Sequence, residues 1–232
     1  MYFNYDMNIS QENSNCIYKT TCNHVDCAGF CLKWFKSQYY LTQSLIPEDK
    51  WVKYPLRVDN DGADIDAFEQ LSAIEADIEN KVSTGFNLYI FSPYVGNGKT
   101  SWAYRMALSY VDKTWYKRDL KPTVLFISVP KFLLDLKANI SEKSAYIEHI
   151  MHNVTDVDLV IWDDIGSKNG TEFEVSHLLS IIDQRVARGL SNIYTSNMDR
   201  EELHQVLGDR LYSRIVNYSD VIRIVGKDKR GI

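Results

Sequence analysis

Apolar residues recur at two different periods along this chain, and the changes of period mark out its elements. Over 64–82, Ile65, Phe68, Leu71, Ile74, Ile78 and Val82 follow one another at intervals of three and four, which lines one face of a helix. Asn87-Leu88-Tyr89-Ile90-Phe91-Ser92 then forms an unbroken apolar run of strand type, followed by a Gly-rich turn and a helical pattern over 99–116. Val124-Leu125-Phe126-Ile127-Ser128-Val129 is a second buried strand, with a helix over 131–140 after Pro130. Leu159-Val160-Ile161-Trp162 is a third strand, 172–187 a long amphipathic helix, and Asn192-Ile193-Tyr194-Thr195-Ser196 a fourth strand. Strands alternating with helices predict an α/β fold, with a mostly parallel sheet covered on both faces. No internal repeat or low-complexity segment interrupts the pattern.

Residues 1–60 read differently. They are cysteine-marked, aromatic and polar, and they close on Ile46-Pro47-Glu48-Asp49-Lys50 and Asn60-Asp61-Gly62. A boundary near Asn60 therefore separates an N-terminal module and linker, 1–60, from a larger domain, 61–232. A chain of 232 residues with 45% hydrophobic content holds one such domain and a small appendage.

Charge narrows the partners. A formal net charge of −5 excludes a protein that coats nucleic acid by bulk electrostatics, so any DNA contact is local. No run approaches the roughly 18 apolar residues that span a bilayer. The polar start Met1-Tyr2-Phe3-Asn4-Tyr5-Asp6 is no secretory leader, so a cytoplasmic location and no membrane partner are expected. All four cysteines, Cys16, Cys22, Cys27 and Cys31, fall in one short stretch with His24 inside it. In a reducing compartment such a cluster points to Zn²⁺, held by four thiolates or by three with His24. Metal would supply the folding energy that so short a segment cannot draw from a core. Trp34, Phe35, Tyr39, Tyr40, Leu41 and Leu45 nearby offer an aromatic surface for docking, some of it expected to be taken up by the small domain's own packing.

The strongest chemical motif is Ser92-Pro93-Tyr94-Val95-Gly96-Asn97-Gly98-Lys99-Thr100-Ser101, set between a strand and a helix. A polyphosphate needs backbone N–H groups converging on it. Glycines permit that by accepting positive φ, and the helix N-terminus adds partial positive charge. Gly96, Asn97, Gly98, Lys99, Thr100 and Ser101 are therefore the expected ATP contacts, with Lys99 on the β- and γ-phosphates and the Thr100 hydroxyl on Mg²⁺. Pro93 replaces the usual first glycine of such a loop, so its entrance differs.

Further along, the third strand ends in Asp163-Asp164, the form expected where one acid, Asp163, holds Mg²⁺ and the next, Asp164, activates the attacking water. The fourth strand ends in Asn197, whose amide can bridge that water and the γ-phosphate. In Gly208-Asp209-Arg210-Leu211-Tyr212-Ser213-Arg214-Ile215 two arginines lie four apart on a helix face, and Arg214 is placed to act as an arginine finger in a neighbouring subunit. That reading makes hydrolysis depend on self-association.

Taken in this order, Asn87-Leu88-Tyr89-Ile90, Gly96-Asn97-Gly98-Lys99-Thr100-Ser101-Trp102, Trp162-Asp163-Asp164-Ile165-Gly166, Thr195-Ser196-Asn197 and Arg210-Leu211-Tyr212-Ser213-Arg214 resemble the DnaC/DnaI-type helicase loaders and their phage counterparts. These form an AAA+ branch that also includes the IstB-type transposition helpers. The resemblance runs from about Asp64 to Ile215. It implies an AAA+ P-loop ATPase domain and a zinc-binding N-terminal module that grips a DnaB-type replicative helicase. It further implies single-stranded DNA as a partner, ATP and Mg²⁺ as cofactors, and a phage or mobile element working in a bacterial host. Asp164 stands where most relatives carry glutamate, so turnover is expected to be slow. DNA contact in such loaders lies on the helices after the second strand, here Lys131, Lys137 and Lys143. The short stretch after Arg214 implies a reduced or missing helical lid, with Arg223 and Arg230 as the candidates for a second sensor arginine. The same residues admit two other readings: an IstB-like transposition regulator polymerising on duplex DNA, and a nucleotide-binding adaptor with little hydrolysis.

Overall fold

The structure, a computed structural model, describes residues 16, 18, 22, 31–53, 55–58, 62–117, 119–139, 143–167, 170–226 and 228–229. Five strands form one sheet: β1 Asn87–Phe91, β2 Val124–Ser128, β3 Leu159–Asp163, β4 Ser191–Ser196 and β5 Asp220–Arg223. Their order is β2-β3-β4-β1-β5, with every pairing parallel. Parallel strands covered on both faces must be apolar on both, which is why β1, β2 and β3 read as nearly unbroken apolar runs. Leu88 and Ile90 point into one core with α1 Leu32–Gln43, α2 Ile65–Ala76, α3 Ile78–Ser83 and α4 Lys99–Thr114. Tyr89 points into the other, with α5 Val129–Ala138, α6 Ala145–Asn153, α7 Glu172–Ala187 and α8 Arg200–Val216.

Chain order and strand order differ at β1. The connection through α4 carries the chain past β4 and β3 to the far edge, while β5 returns on the other side. The carboxyl ends of β1, β4 and β3 thereby lie side by side, where open α/β sheets bind their ligands.

Several elements depart from the sequence expectations. The single helix over 64–82 is broken at Asp77, at φ −108° and ψ 17°. The Asp77 carboxylate accepts from Asn80 Nδ2 at 2.7 Å, a local bond that competes with helix. Strand β5 has four residues in a mostly exposed pattern, too short to register as a period. It occupies the stretch after Arg214, with no lid helix among the described residues.

The boundary near Asn60 does not mark a change of packing. Tyr40, Leu41 and Ile46 are buried in the same core as the strands. Ser44 O accepts from Phe126 N at 2.7 Å, and His149 Nε2 lies 2.8 Å from Gln43 O. The segment after α1 thus covers the free edge of β2, a place where unpaired backbone would otherwise meet solvent. Tyr40 and Leu41, expected on a docking surface, are 1% exposed and belong to the core.

Gly208 splits α8 at φ 72° and ψ 167°, a conformation only glycine holds cheaply. The kink turns the half that carries Arg210 and Arg214 along α7.

Candidate active site

Strand β1 delivers the chain into the loop at Ser92, which is fully buried. Ser92 Oγ accepts from Tyr94 N at 3.2 Å and from Asn97 Nδ2 at 2.5 Å. Gly96 and Gly98 take φ of 74° and 100°. A Cβ at Gly98 would meet nothing, so the requirement there is backbone conformation rather than space. Gly98 caps α4 with no side-chain bond, leaving the first-turn amides to face an anion. Lys99 is 5% exposed, and its Nζ donates to Tyr94 O at 2.8 Å and Asn97 Oδ1 at 3.1 Å. The Asn97 side chain thus braces the loop from within, which leaves its backbone N–H for the expected phosphate contact. Ser101 lies in the first turn of α4, half-buried.

Opposite the loop, Asp163 closes β3. Its Oδ1 accepts from Thr100 Oγ1 at 2.9 Å and from Thr195 Oγ1 at 2.6 Å. Burial pushes its carboxyl above the usual range; the Thr195 and Thr100 hydroxyls and the Lys99 charge oppose that, and the Asp164 charge adds to it. Two hard oxygen donors on adjacent elements, one a carboxylate, fit Mg²⁺. Asp164 follows in the left-handed region at φ 57°, which aspartate tolerates better than most residues. Its N–H donates to Thr195 Oγ1 at 2.9 Å, and its Oδ1 accepts from Asn197 Nδ2 at 3.2 Å. Four expected residues, Thr100, Asp163, Asp164 and Asn197, thus meet where the first turn of α4 faces the carboxyl ends of β3 and β4. Thr195, for which the sequence offered no role, joins them; a threonine inside a strand carries no signal of its own.

Arg214 is not joined to this group within the chain. Its Nε donates to Asp183 of α7, and it lies over the Tyr218 ring at 5.6 Å. Arg210, one turn earlier, is exposed and makes no ion pair among the described residues. Arg223, at the end of β5, lines a cleft of about 280 Å³ with Phe91, Pro93, Asp199, Arg200 and Glu201. Arg230 lies outside the described residues.

Two of the expected DNA-contacting lysines are already engaged. Lys131 pairs with Asp135 and lies over the Tyr146 ring at 4.1 Å, and Lys137 pairs with buried Glu174 at 3.2 Å. Lys143 is exposed ahead of α6.

The zinc expectation finds no fit in the described residues. Cys16, Cys22 and Cys31 are free thiols, and no three potential ligands stand together among the described residues. Cys31 instead caps α1, its Sγ accepting from Trp34 N at 3.4 Å. Cys27 and His24 lie outside the described residues. No helix among the described residues is long and apolar enough to cross a membrane.

Known proteins resemble this chain in sequence and in fold. The family model described as IstB-like ATP binding protein matches residues 61–231. The replicative helicase loader DnaC of Buchnera aphidicola subsp. Schizaphis graminum is 28% identical over 94 residues, 40% of this chain and 38% of that protein. An uncharacterized protein, YdaV of Escherichia coli K12, is 27% identical over 140 residues, 60% of this chain and 52% of YdaV. The chain thus spans well under half the length of the DnaC relatives it matches. Among solved structures, a DnaC helicase loader superposes with a TM-score of 0.56 at 17% identity, covering 77% of this chain and 99% of that one. DnaI superposes at 0.59 and 21% identity, covering 80% and 95%. AMPPCP-bound DnaA from Aquifex aeolicus superposes at 0.58 and 19%, covering 78% and 51%. These likenesses show the fold, an α/β domain on a parallel sheet shared with those structures.

Proposed function

The chain belongs to the IstB-like ATP-binding protein family, and from that premise we propose that it is an ATPase that loads a DnaB-type replicative helicase onto single-stranded DNA. The observation that carries the nucleotide half is the oxygen of Asp163 shared by Thr100 and Thr195, with Asp164 and Asn197 beside it and the amides of α4 opposite. The loader half is supported by relatives named replicative helicase loader.

The loop amides and Lys99 bind and neutralise the phosphates. Thr100 and Asp163 would hold Mg²⁺, which supplies charge neutralisation at the transferring phosphoryl group. Asp164, oriented by the Asn197 amide, accepts the proton of the attacking water. Arg214 completes the site of a neighbouring subunit. Its half-exposed pair with Asp183 is worth about 1 kcal/mol or less, so exchanging that carboxylate for a phosphate costs little. Lys131, Lys137 and Lys143 are the proposed DNA contacts, Lys143 being exposed with no ion pair among the described residues.

The test is co-elution of the purified chain with the replicative helicase of its host, with ATP and without. A complex that depends on ATP supports the loader. No complex in either condition overturns it, and ATP-dependent polymerisation on duplex DNA would then favour the IstB-like transposition role. Measured turnover with and without single-stranded DNA separates both from an adaptor that only binds nucleotide.

A further inference from the structure

Behind the phosphate loop the chain returns as a strap. Ile224 extends the β5–β1 ladder by donating its N–H to Phe91 O at 2.9 Å, and its carbonyl accepts from Asn97 Nδ2 at 3.4 Å. Lys229 N then donates to Gly96 O at 2.9 Å. The Lys229 side chain runs the other way: Nζ donates to Arg57 O at 2.7 Å and pairs with Asp64, whose side chain is 5% exposed. One residue thus holds the phosphate loop by its backbone and the linker ahead of α2 by its charge.

The loop needs such a hold. A phosphate cradle works only while its N–H groups converge and its carbonyls face elsewhere. Glycine at φ 74° leaves that arrangement soft, since it adopts many others at similar energy. Lys229 N gives the Gly96 carbonyl a fixed partner on the far side. The buried Asp64 carboxylate in turn fixes Lys229, because a charge left there without its partner is strongly unfavourable.

We propose that Lys229 is a positioning residue of the nucleotide site, locking the Gly96 carbonyl away from the phosphates through its ion pair with Asp64. The inference rests on the ATP-site reading above. It also makes phosphate binding sensitive to the linker around Arg57, so that strain in the N-terminal part is felt at the loop.

The experiment uses the full chain with Lys229→Met, Asp64→Asn, the double variant and Lys229→Arg, and measures affinity for ATP with Mg²⁺ together with backbone hydrogen exchange over 93–98. The expectation is that each single variant weakens ATP binding about 10-fold and that the double is no weaker than the worse single, the signature of one coupled pair. Lys229→Arg should stay within about threefold, and exchange over 93–98 should accelerate in Lys229→Met without nucleotide while the interior of α4 is unchanged. Unaltered affinity and exchange in Lys229→Met, or effects that add in the double variant, overturn the proposal. If the unaltered chain fails to bind ATP, the ATP reading falls by itself, and the exchange rates still decide whether Lys229 holds the loop.

Discussion

The hydroxyl of Thr195 donates to Asp163 Oδ1 at 2.6 Å while accepting the Asp164 N–H at 2.9 Å, so one side chain on β4 sets the acid that ends β3 and the one that follows it. Burial works against the charge of Asp163, and the Thr195 bond is the foremost influence opposing it. Thr195→Val should therefore weaken Mg²⁺-dependent binding of an ATP analogue about 10-fold, in keeping with the worth of a bond to a charged group. Thr195→Ser should change it little. Titrations with Mg²⁺ and with a chelator check this: an equal loss in both would place Thr195 outside the metal's support.

Asp164 and Lys99 divide binding from chemistry. Asp164→Asn should keep nucleotide affinity and lower turnover at least about 100-fold, the usual worth of a general base. Lys99→Ala should abolish nucleotide binding, because it removes the buried cation of the phosphate loop. Binding titrations and single-turnover hydrolysis distinguish the two outcomes.

Arg214→Ala should alter stability by less than about 1 kcal/mol, since its partner Asp183 is itself half-exposed. Turnover per subunit should then no longer rise with protein concentration. If the rise persists in Arg214→Ala and vanishes in Arg210→Ala, the unengaged Arg210 is the residue that crosses the interface.

Arg185 is fully buried and is satisfied almost wholly by carbonyls: Val154 O at 2.6 Å, Val157 O at 3.0 Å and Ser191 O at 2.5 Å, with Asn192 Oδ1 at 2.7 Å. Burial pulls its pKa down to about 9, which leaves the guanidinium charged at neutral pH. Arg185→Leu should cost about 3 kcal/mol or more, because these acceptors are left unpaired in the core. Arg185→Lys should not recover it, as a compact ammonium cannot span the same set. Urea unfolding gives the numbers.

Glu174 carries the acid sensitivity of α7. Burial pushes its carboxyl up, but the Thr171 N–H at 2.6 Å, the Thr171 hydroxyl at 2.8 Å and the Lys137 charge outweigh it and hold it below the usual range. A carboxyl held low binds fewer protons folded than unfolded. Its contribution is present above its unfolded pKa of about 4.3 and is lost as pH falls through the lower folded value. Glu174→Gln should lower the urea midpoint at neutral pH and flatten its fall between about pH 5 and 3.

The sequence by itself determined the parallel sheet, the loop that binds phosphate and the acids opposite it. The reason is that each is written locally: a strand buried on both faces must be continuously apolar, as in Leu159-Val160-Ile161-Trp162, and a phosphate cradle must place glycines at Gly96 and Gly98. Tertiary structure decided everything that depends on which distant segments touch. Tyr40 and Leu41 read equally well as surface or core until α1 is seen against β2. Thr195 gains its role only because β4 lies beside β3. The in-chain pair of Arg214 with Asp183, and the bond from the Asn97 side chain to Ile224 O, likewise join segments that no local pattern connects. Lys229, far along the chain from Asp64, acquires meaning only from the fold that sets them together, since pairing between remote charges leaves no period or spacing to read.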